Sequence, residues 1–133
     1  MNLLVDANVL IDYVDGKPYA KAFFEKAKRK SHMLIIPLHA YAEAERITNH
    51  SKKLEKLSAE LHHYGLLEIA EPKESEWALA EKLVAQSKKI AGRDIGPVDR
   101  LIVSVAVSRG LVITTRDKML DKLGKSLGAK LAW

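Results

Sequence analysis

Short runs of strand-forming residues alternate with longer stretches of helical periodicity along the whole chain. The predicted strands are Met1–Val5, Met33–Pro37, Leu66–Ala70, Gly110–Thr115 and Ala129–Trp133. The predicted helices are Val9–Val14, Lys17–Lys30, Leu38–Asn49, Lys52–Tyr64, Glu74–Ile90, Val98–Arg109 and Met119–Leu123. Because a helix between two strands returns the chain to the same end of a sheet, this alternation predicts parallel strands. We therefore expect an α/β fold whose parallel sheet is covered by helices on both faces.

Length and composition restrict the possible classes of protein. The 133 residues are enough for one sizeable core, and no repeat or linker divides them, so we predict a single domain over residues 1–133. The absence of cysteine excludes disulfides, thiolate metal sites and a cysteine nucleophile. No apolar run approaches the roughly 20 residues of a membrane span, and Asp6 and Asp12 interrupt the N-terminal apolar segment. We therefore expect a cytoplasmic protein.

Four acids occupy positions that the predicted sheet makes informative. In open parallel sheets, sites form beyond the carboxyl ends of the strands. Asp6 ends the first predicted strand, and Asp117 follows the fourth one after a single intervening residue. Asp99 lies early in the apolar helix after the "AGRDIG" loop, and Glu43 shares a helix face with Ala40 and Ile47. The architecture brings Asp6 and Asp117 to one edge, and it can bring the other two acids beside them.

Each acid also has a structural interpretation. Asp6 and Asp117 could each begin a helix, and Asp99 could favour the helix dipole. Glu43 could pair with Arg46 or His39 at the surface. Four gathered carboxylates would repel each other by about 4 kcal/mol per pair, at about 4 Å and an effective dielectric constant of about 20. Such a group requires raised pKa values or a hard cation, and Mg²⁺ and Mn²⁺ accept all-oxygen ligands.

The chain carries a formal net charge of +5, which is compatible with a polyanionic partner and also with simple solubility. A basic surface around an acidic site suits a metal-dependent nuclease, since surface cations can hold the flanking phosphates. The candidate cations are Lys26, Lys28, Arg29, Lys30, Lys52, Lys53, Arg93, Arg100 and Arg116. Arg93 and Arg116 lie nearest to the predicted site in the sequence, so they are our candidates for contacting the nucleic-acid backbone.

Three segments resemble the PIN-domain family, and the match extends essentially from end to end. "LLVDANVLID" resembles the opening strand of that family, in which Asn or Ser follows two residues after the aspartate, here as Asn8. "IPLHAYAEAERI" is similar to its second acidic motif and maps onto Glu43. "GRDIGPVDRLIVSVAVSRGLVITTRD" resembles the late block of the short prokaryotic members, the VapC-like toxins of toxin–antitoxin pairs. This last segment maps onto Asp99 and Asp117.

The resemblance implies a three-layer α/β/α sandwich with a central parallel sheet of four to five strands. It also implies a Mg²⁺- or Mn²⁺-dependent endoribonuclease that hydrolyses phosphodiester bonds by in-line attack of water. The implied catalytic residues are Asp6, Glu43, Asp99 and Asp117. Asp6, Asp99 and Asp117 would be the metal ligands, and Asn8 and Thr115 would be supporting polar residues. The implied partners are the RNA substrate, a small antitoxin and a second copy of the chain in a homodimer.

Some assignments have alternatives. Glu45 lies two residues from Glu43, and a shift of register would exchange their roles. Asp94 could support the neighbouring acids or belong only to a surface loop. Asp12 is close to Asp6 in sequence but is expected on the outer side of its helix. A catalytically silent PIN-like fold that binds nucleic acid or protein is the alternative function.

Other classes of protein fit less well. A response-regulator receiver domain requires a phosphoacceptor aspartate near the middle of the chain, and no aspartate lies between Asp15 and Asp94. The "GKS" at residues 124–126 would need a glycine at the position of Met119 to form a phosphate-binding loop. A haloacid-dehalogenase-type phosphatase would need an aspartate where Asn8 stands.

Overall fold

The computed structural model describes residues 1–128 and 130–131. Its five strands are β1 (Asn2–Val5), β2 (Met33–Pro37), β3 (Leu67–Ala70), β4 (Val112–Thr114) and β5 (Lys130–Leu131). All neighbouring pairs are parallel, in the order β3-β2-β1-β4-β5, so β1 is the central strand. The predicted parallel sheet of four to five strands is confirmed. The last predicted strand, Ala129–Trp133, lies partly outside the described residues.

Eight helices are described, and they cover both faces of the sheet. They are α1 (Ala7–Val14), α2 (Pro18–Arg29), α3 (Leu38–Ile47), α4 (Lys52–His63), α5 (Glu74–Lys82), α6 (Val84–Ala91), α7 (Pro97–Arg109) and α8 (Lys118–Ser126). Successive side chains of a strand point to opposite faces. Leu3 and Val5 of β1 therefore pack with residues of α1 to α4, whereas Leu4 packs with residues of α5, α7 and α8. The three-layer α/β/α fold is confirmed.

The longest predicted helix is divided in two. Glu74–Ile90 was expected to be continuous, but α5 ends before Leu83 and α6 begins after it. The Leu83 N–H donates to the Ala80 carbonyl over 3.2 Å, and the Arg100 guanidinium donates to the same carbonyl over 2.8 Å. This tightened turn lets α5 pack on α7 and α6 pack on α8. The prediction was wrong because the side chain that stabilises the break comes from another helix.

Helix α7 passes through the core, as its nearly continuous apolar sequence predicted. Seven consecutive residues, from Arg100 to Ala106, are buried. Pro97 is the first helical residue, where its missing N–H is not needed. Gly110 ends the helix with φ 63°, a left-handed conformation that favours glycine, and the chain then enters β4. The helix therefore carries Asp99, in its first turn, to the carboxyl edge of the sheet.

A buried ion pair connects α5 to α7. Glu76 is fully buried, and Arg109 donates to both of its carboxylate oxygens over 2.9 Å. Ser104 donates to the Glu76 carbonyl over 2.6 Å, which adds a second contact between the same helices. Because a bidentate arginine pair has a fixed geometry, it sets the position of α7 relative to α5.

Among the described residues, we find no helix with the length and apolarity of a membrane span.

Candidate active site

Asp6 lies at the carboxyl end of the central strand and is almost completely buried, with 4% of its surface exposed. Its backbone N–H donates to the Thr114 carbonyl over 3.1 Å, which extends the β1–β4 pairing to this residue. Its Oδ1 accepts from the Ala7 N–H over 2.8 Å and so caps α1. Its Oδ2 accepts from the Thr115 hydroxyl over 2.9 Å. Asp6 is therefore a helix cap and also part of an interstrand contact.

Asp117 lies beside Asp6 because β4 is the neighbour of β1. Its Oδ1 accepts from the N–H groups of Met119 and Leu120 over 2.9 and 3.2 Å and caps α8. Its backbone N–H donates to the Thr115 hydroxyl oxygen over 3.1 Å. Its Oδ2 accepts no hydrogen bond from another described residue, so capping leaves one oxygen available.

Glu43 and Asp99 approach the same edge from two different helices. Both are half-buried, and both line one cavity between α3 and the start of α7. Glu43 raises the pKa of Asp6 and of Asp99, which shows that its charge lies within electrostatic reach of both. Glu45 lines a different cavity and pairs with His50 over 3.8 Å. The structure thus places Glu43, and not Glu45, with the other acids.

Burial and mutual repulsion shift the pKa values of two acids. Burial is the main cause that raises the pKa of Asp6 to about 6, and the charges of Asp117 and Glu43 raise it further. The hydrogen bonds from Thr115 and Ala7 act in the opposite direction. Burial also raises the pKa of Asp99 to about 6, followed by the charges of Asp6, Asp117 and Glu43. The predicted repulsion is therefore present at this edge.

The donor set fits a hard divalent cation in chemistry and charge. All four side chains offer carboxylate oxygens, and a cation would relieve the repulsion between them. Within residues 1–128 and 130–131, however, no group of three or more Asp, Glu or His side chains is arranged to hold a metal ion directly. The acids lie within electrostatic reach of each other but do not converge on one point.

The cations near the acids differ in their surroundings. Arg93 is exposed, donates to the Asp94 carbonyl over 3.3 Å and lowers the pKa of Asp99 by its charge. Arg116 is exposed, and its guanidinium lies 4.4 Å from the centre of the Tyr19 ring. Arg100 was a candidate surface cation, and this prediction was wrong. It is buried and paired with Asp94 over 2.9 Å.

The structure also shows the surroundings of three further sequence-predicted residues. Asn8 is exposed in the first turn of α1, and its side chain forms no hydrogen bond with another described residue. Asp94 accepts from the Gly96 N–H over 3.1 Å and pairs with Arg100, so it stabilises the loop before α7. Asp12 is only partly exposed and pairs with Lys17 over 3.0 Å, instead of pointing freely to solvent.

Tyr19 lies near the acids, although nothing in its sequence position indicates this. Its hydroxyl donates to Asp12 and its ring faces Arg116. Asp6 also raises its pKa, which places the ring within electrostatic reach of the acids. Tyr19 follows Asp12 by seven positions and belongs to the next helix, and such a separation does not predict a contact.

An open parallel sheet with helices on both faces and four acids near the carboxyl ends of its strands defines the structural class of this protein. A family model described as PIN domain matches residues 3–126, and the chain belongs to that family. PIN domains are generally nucleases that use divalent metal ions. A comparison with curated protein sequences finds no match.

Several solved structures share this fold. The chain is similar to one in the structure of VapBC2 from Rickettsia felis bound to a promoter DNA fragment, with 20% identity and a TM-score of 0.68, covering 98% of this chain and 97% of the other. VapBC-1 from nontypeable Haemophilus influenzae gives 21% identity and a TM-score of 0.65, covering 98% and 96%. FitAcB from Neisseria gonorrhoeae gives 20% identity and a TM-score of 0.66, covering 97% and 95%. At these identities the likeness concerns the fold.

Proposed function

We propose that this protein is a divalent-metal-dependent endoribonuclease and the toxin of a VapBC-type toxin–antitoxin pair. One structural relationship carries the proposal: the Thr115 hydroxyl joins Asp6 to the Asp117 backbone, within electrostatic reach of Glu43 and Asp99. Membership of the PIN family and the fold shared with VapBC and FitAB chains support the same activity.

Asp6, Asp99 and Asp117 would hold Mg²⁺ or Mn²⁺, and Glu43 would complete the acidic group. The partly exposed side chains of Asp99, Asp117 and Glu43 would rotate toward Asp6, which its two hydrogen bonds keep in place. When bound, such an ion lowers the pKa of water and neutralises charge on the phosphate. The four acids would orient the attacking water for in-line hydrolysis without a covalent enzyme intermediate.

The chain's cations would hold the RNA on either side of the scissile phosphate. Arg93 precedes α7 and lowers the pKa of Asp99, Arg116 lies between Thr115 and Asp117, and both arginines are exposed. Thr115 would keep Asp6 charged and oriented, because its hydroxyl donates to the carboxylate. Asn8, exposed in the first turn of α1, would contact a phosphate or a coordinated water. Asp94 would act indirectly, since it fixes Arg100 and the loop before α7.

We also propose partners and a location for this protein, on the basis of the solved structures that it resembles. The structures that resemble this chain are of VapBC and FitAB proteins, some of them with DNA. We propose a small antitoxin as the partner of this chain, a homodimer as its assembly and the cytoplasm as its location. Gel filtration with and without the product of a neighbouring small reading frame tests the first two proposals.

A cleavage assay tests the activity. We expect single-stranded RNA to be cut in the presence of Mn²⁺, and we expect EDTA or the substitution Asp6→Asn to abolish cutting. Asp15→Asn is the matched control, because Asp15 is an exposed aspartate at the end of the same helix. Cleavage that survives in Asp6→Asn would mean that the acids do not form the active site.

A catalytically silent nucleic-acid-binding module is the second candidate. It is favoured by the observation that the described acids are not arranged to hold an ion directly. RNA binding without cleavage at any Mn²⁺ or Mg²⁺ concentration would support this alternative.

A further inference from the structure

The formal net charge of the chain is concentrated in two short segments. Residues 84–93 comprise α6 and the two residues after it, and they contain three cations and no acid. Residues 118–126 comprise α8, and they contain three cations and one acid. These two segments account for the whole net charge of +5, because cations and acids are equal in number in the rest of the chain. Solubility is served by charges of both signs that are mixed over the surface, so this separation calls for another explanation.

The two helices pack against each other as an antiparallel pair. The Gln86 side chain, in the first turn of α6, donates to the Ser126 hydroxyl at the end of α8 over 3.4 Å. From this contact α6 runs toward the carboxyl edge of the sheet, because the chain continues from its end to Asp99 in the first turn of α7. Helix α8 begins at the same edge, with Asp117 as its cap, and runs back to Ser126. Both helices therefore extend from the Gln86–Ser126 contact to the acids.

Lysines occupy the outer side of this helix pair. Lys89 lies about one turn after Gln86 in α6, and Lys122 lies about one turn before Ser126 in α8. The Gln86–Ser126 contact lies at the surface, and both lysines are exposed. Within residues 1–128 and 130–131, neither lysine forms an ion pair with an acid. Their charges are therefore available to a partner from solution.

Further cations connect these lysines to the acids at the carboxyl edge. Arg93 follows α6, is exposed and lowers the pKa of Asp99 by its charge. Lys118 begins α8, is exposed and lines a cavity of about 300 Å³ together with Asp117. The cations thus continue along both helices as far as the proposed active site. We define the α6–α8 basic track as Lys89, Arg93, Lys118 and Lys122.

The composition of the track indicates the kind of polyanion that it fits. Lys118 and Lys122 are separated by four residues, which is about 6 Å along the helix axis, so the charges form a row and not a single cluster. A flexible strand of phosphates can follow such a row. Neither α6 nor α8 contains an aromatic residue, so the track offers no ring on which a base could stack. It therefore suits the backbone of a single strand and predicts binding without base preference.

We propose that the α6–α8 basic track binds the phosphate backbone of the RNA on one side of the scissile phosphate. The proposal rests on the proposed nuclease function for the identity of the polymer. In this arrangement the four cations contribute affinity that depends on salt and is independent of base sequence. They hold the strand against the helix pair and take no part in bond cleavage, which is assigned to the acids.

Binding measurements test the track separately from catalysis. Single-stranded RNA is titrated with Asp6→Asn protein, with and without the pair of substitutions Lys89→Gln and Lys122→Gln, at several salt concentrations. Two lost phosphate contacts on a single strand should reduce the slope of log affinity against log salt by about 1.4 and weaken binding about 25-fold in 0.1 M salt. Lys89→Arg with Lys122→Arg keeps both charges and should retain the affinity and the slope.

A control variant with the same change of net charge separates the track from overall electrostatics. Arg29→Gln with Lys30→Gln removes two exposed cations at the end of α2, where the chain enters the amino end of β2. This position is at the edge of the sheet opposite to the acids, so the control should bind almost as well as the parent protein. An equal loss in the two double variants would show that net charge and not the track holds the RNA, and would overturn the proposal.

The four homopolymers test whether the track reads only the backbone. The pair of substitutions Lys89→Gln and Lys122→Gln should weaken the binding of each homopolymer by the same factor, because phosphate contacts carry no sequence information. A loss confined to one homopolymer would mean that these lysines contact a base edge, and would contradict the proposed mode of binding.

Crosslinking tests the position of the strand directly. The chain contains no cysteine, so Lys122→Cys introduces a single thiol to which a photoreactive aryl azide can be attached. Irradiation of the complex should crosslink RNA to the label at position 122, whereas the same label on Lys30→Cys should give only the background of unbound RNA. Equal crosslinking at the two positions would overturn the proposal.

The outcomes separate this proposal from the proposed function. In the otherwise unmodified enzyme, Lys89→Gln with Lys122→Gln should raise KM and leave kcat within about twofold. If the protein cleaves RNA and these substitutions change neither affinity nor salt slope, the track proposal is wrong and the nuclease stands. If RNA binds along the track but no condition gives cleavage, the track stands and the nuclease does not. A protein that neither binds nor cleaves RNA would overturn both.

Discussion

Thr115 donates its hydroxyl hydrogen to the Asp6 carboxylate over 2.9 Å, although the two residues are 109 positions apart in the chain. The same oxygen accepts the Asp117 N–H over 3.1 Å, so the side chain joins two acids at the ends of adjacent strands. Because Asp6 is buried and Asp117 also caps α8, this contact couples the proposed active site to the stability of the fold.

Replacing Thr115 by valine tests this coupling. Valine has a similar shape but cannot form either hydrogen bond, so we expect a loss of about 1–3 kcal/mol in the free energy of unfolding at pH 7. The pKa of Asp6 should also rise further, because the lost hydrogen bond was lowering it. Denaturant unfolding and an NMR titration of the Asp6 carboxyl measure the two effects. Thr115→Ser keeps the hydroxyl group, so it should leave both the stability and the Asp6 pKa almost unchanged. An unchanged Asp6 pKa in Thr115→Val would contradict the proposed coupling.

Asp6→Asn should stabilise the fold in neutral solution without divalent ions. The pKa of Asp6 is raised from 3.8 to about 6, so the folded state binds this proton more tightly than the unfolded state. The protein therefore loses stability as the pH rises from about 4 to about 6, by up to about 3 kcal/mol. Asparagine does not titrate. Its Oδ1 can accept from the Ala7 N–H, and its Nδ2 would donate to the Thr115 hydroxyl oxygen, which reverses the direction of that hydrogen bond.

The measurement is urea unfolding in EDTA at several pH values. The advantage of Asp6→Asn should be small near pH 3.5 and fully developed above pH 6. Asp15→Asn serves as the control, since Asp15 is exposed. An advantage that does not depend on pH would show that burial of the Asp6 charge is not its cause.

Divalent ions should offset most of this advantage. An ion that binds only the folded protein adds about 2.7 kcal/mol at one hundred times its dissociation constant. We therefore expect Mn²⁺ to raise the Tm of the unmodified protein, and to leave the Tm of Asp6→Asn and Asp99→Asn almost unchanged. Asp15→Asn should respond like the unmodified protein. Equal Tm shifts in all four proteins would place the ion elsewhere.

Glu76→Gln should destabilise the protein because it breaks the buried Glu76–Arg109 ion pair, which does not involve the four acids of the proposed site. The substitution leaves Arg109 without its carboxylate, and we expect a loss of about 2–3 kcal/mol at pH 7. Arg109 holds the pKa of Glu76 below its usual value, against the opposing effect of burial. The stabilisation is thus present above about pH 4.5 and disappears as the pH falls through the lowered pKa.

Chemical unfolding between pH 3 and pH 7 measures this dependence. The difference in stability between the two proteins should shrink toward the acidic end, because a growing fraction of the Glu76 carboxylate is then protonated. Glu74→Gln is the matched control in the same helical turn, where the side chain is exposed. If Glu74→Gln lost as much stability as Glu76→Gln, net charge and not the ion pair would be responsible.

Local patterns were sufficient for most of the fold. The strands and helices could be predicted because the periodicity of apolar residues depends only on residues that are close in sequence. Pro97 and Gly110 mark the ends of α7 in the same way. The break at Leu83 could not be predicted, since its cause includes the Arg100 guanidinium from another helix. Residue type alone suggested that Arg100 was a surface cation, whereas Asp94 and Ala80 hold it inside.

Only part of the candidate site could be predicted from the sequence. The rule for parallel sheets placed Asp6 and Asp117 together, because it depends only on which residues follow the strands. The pocket between α3 and α7 depends on how two helices pack, which no local pattern records. His39 was therefore interpreted as one half of a surface pair, although the structure buries its ring nitrogens. The roles of the acids remain predictions.

The position of β4 next to β1 has a consequence for synthesis of the chain. Asp6 is synthesised at the start of the chain. Thr115 and Asp117 are synthesised only after the residues of seven helices and four strands. A partly translated chain therefore contains no complete group of acids. Because β4 and Asp117 come late in the chain, the proposed site can form only after the ribosome has made residue 117.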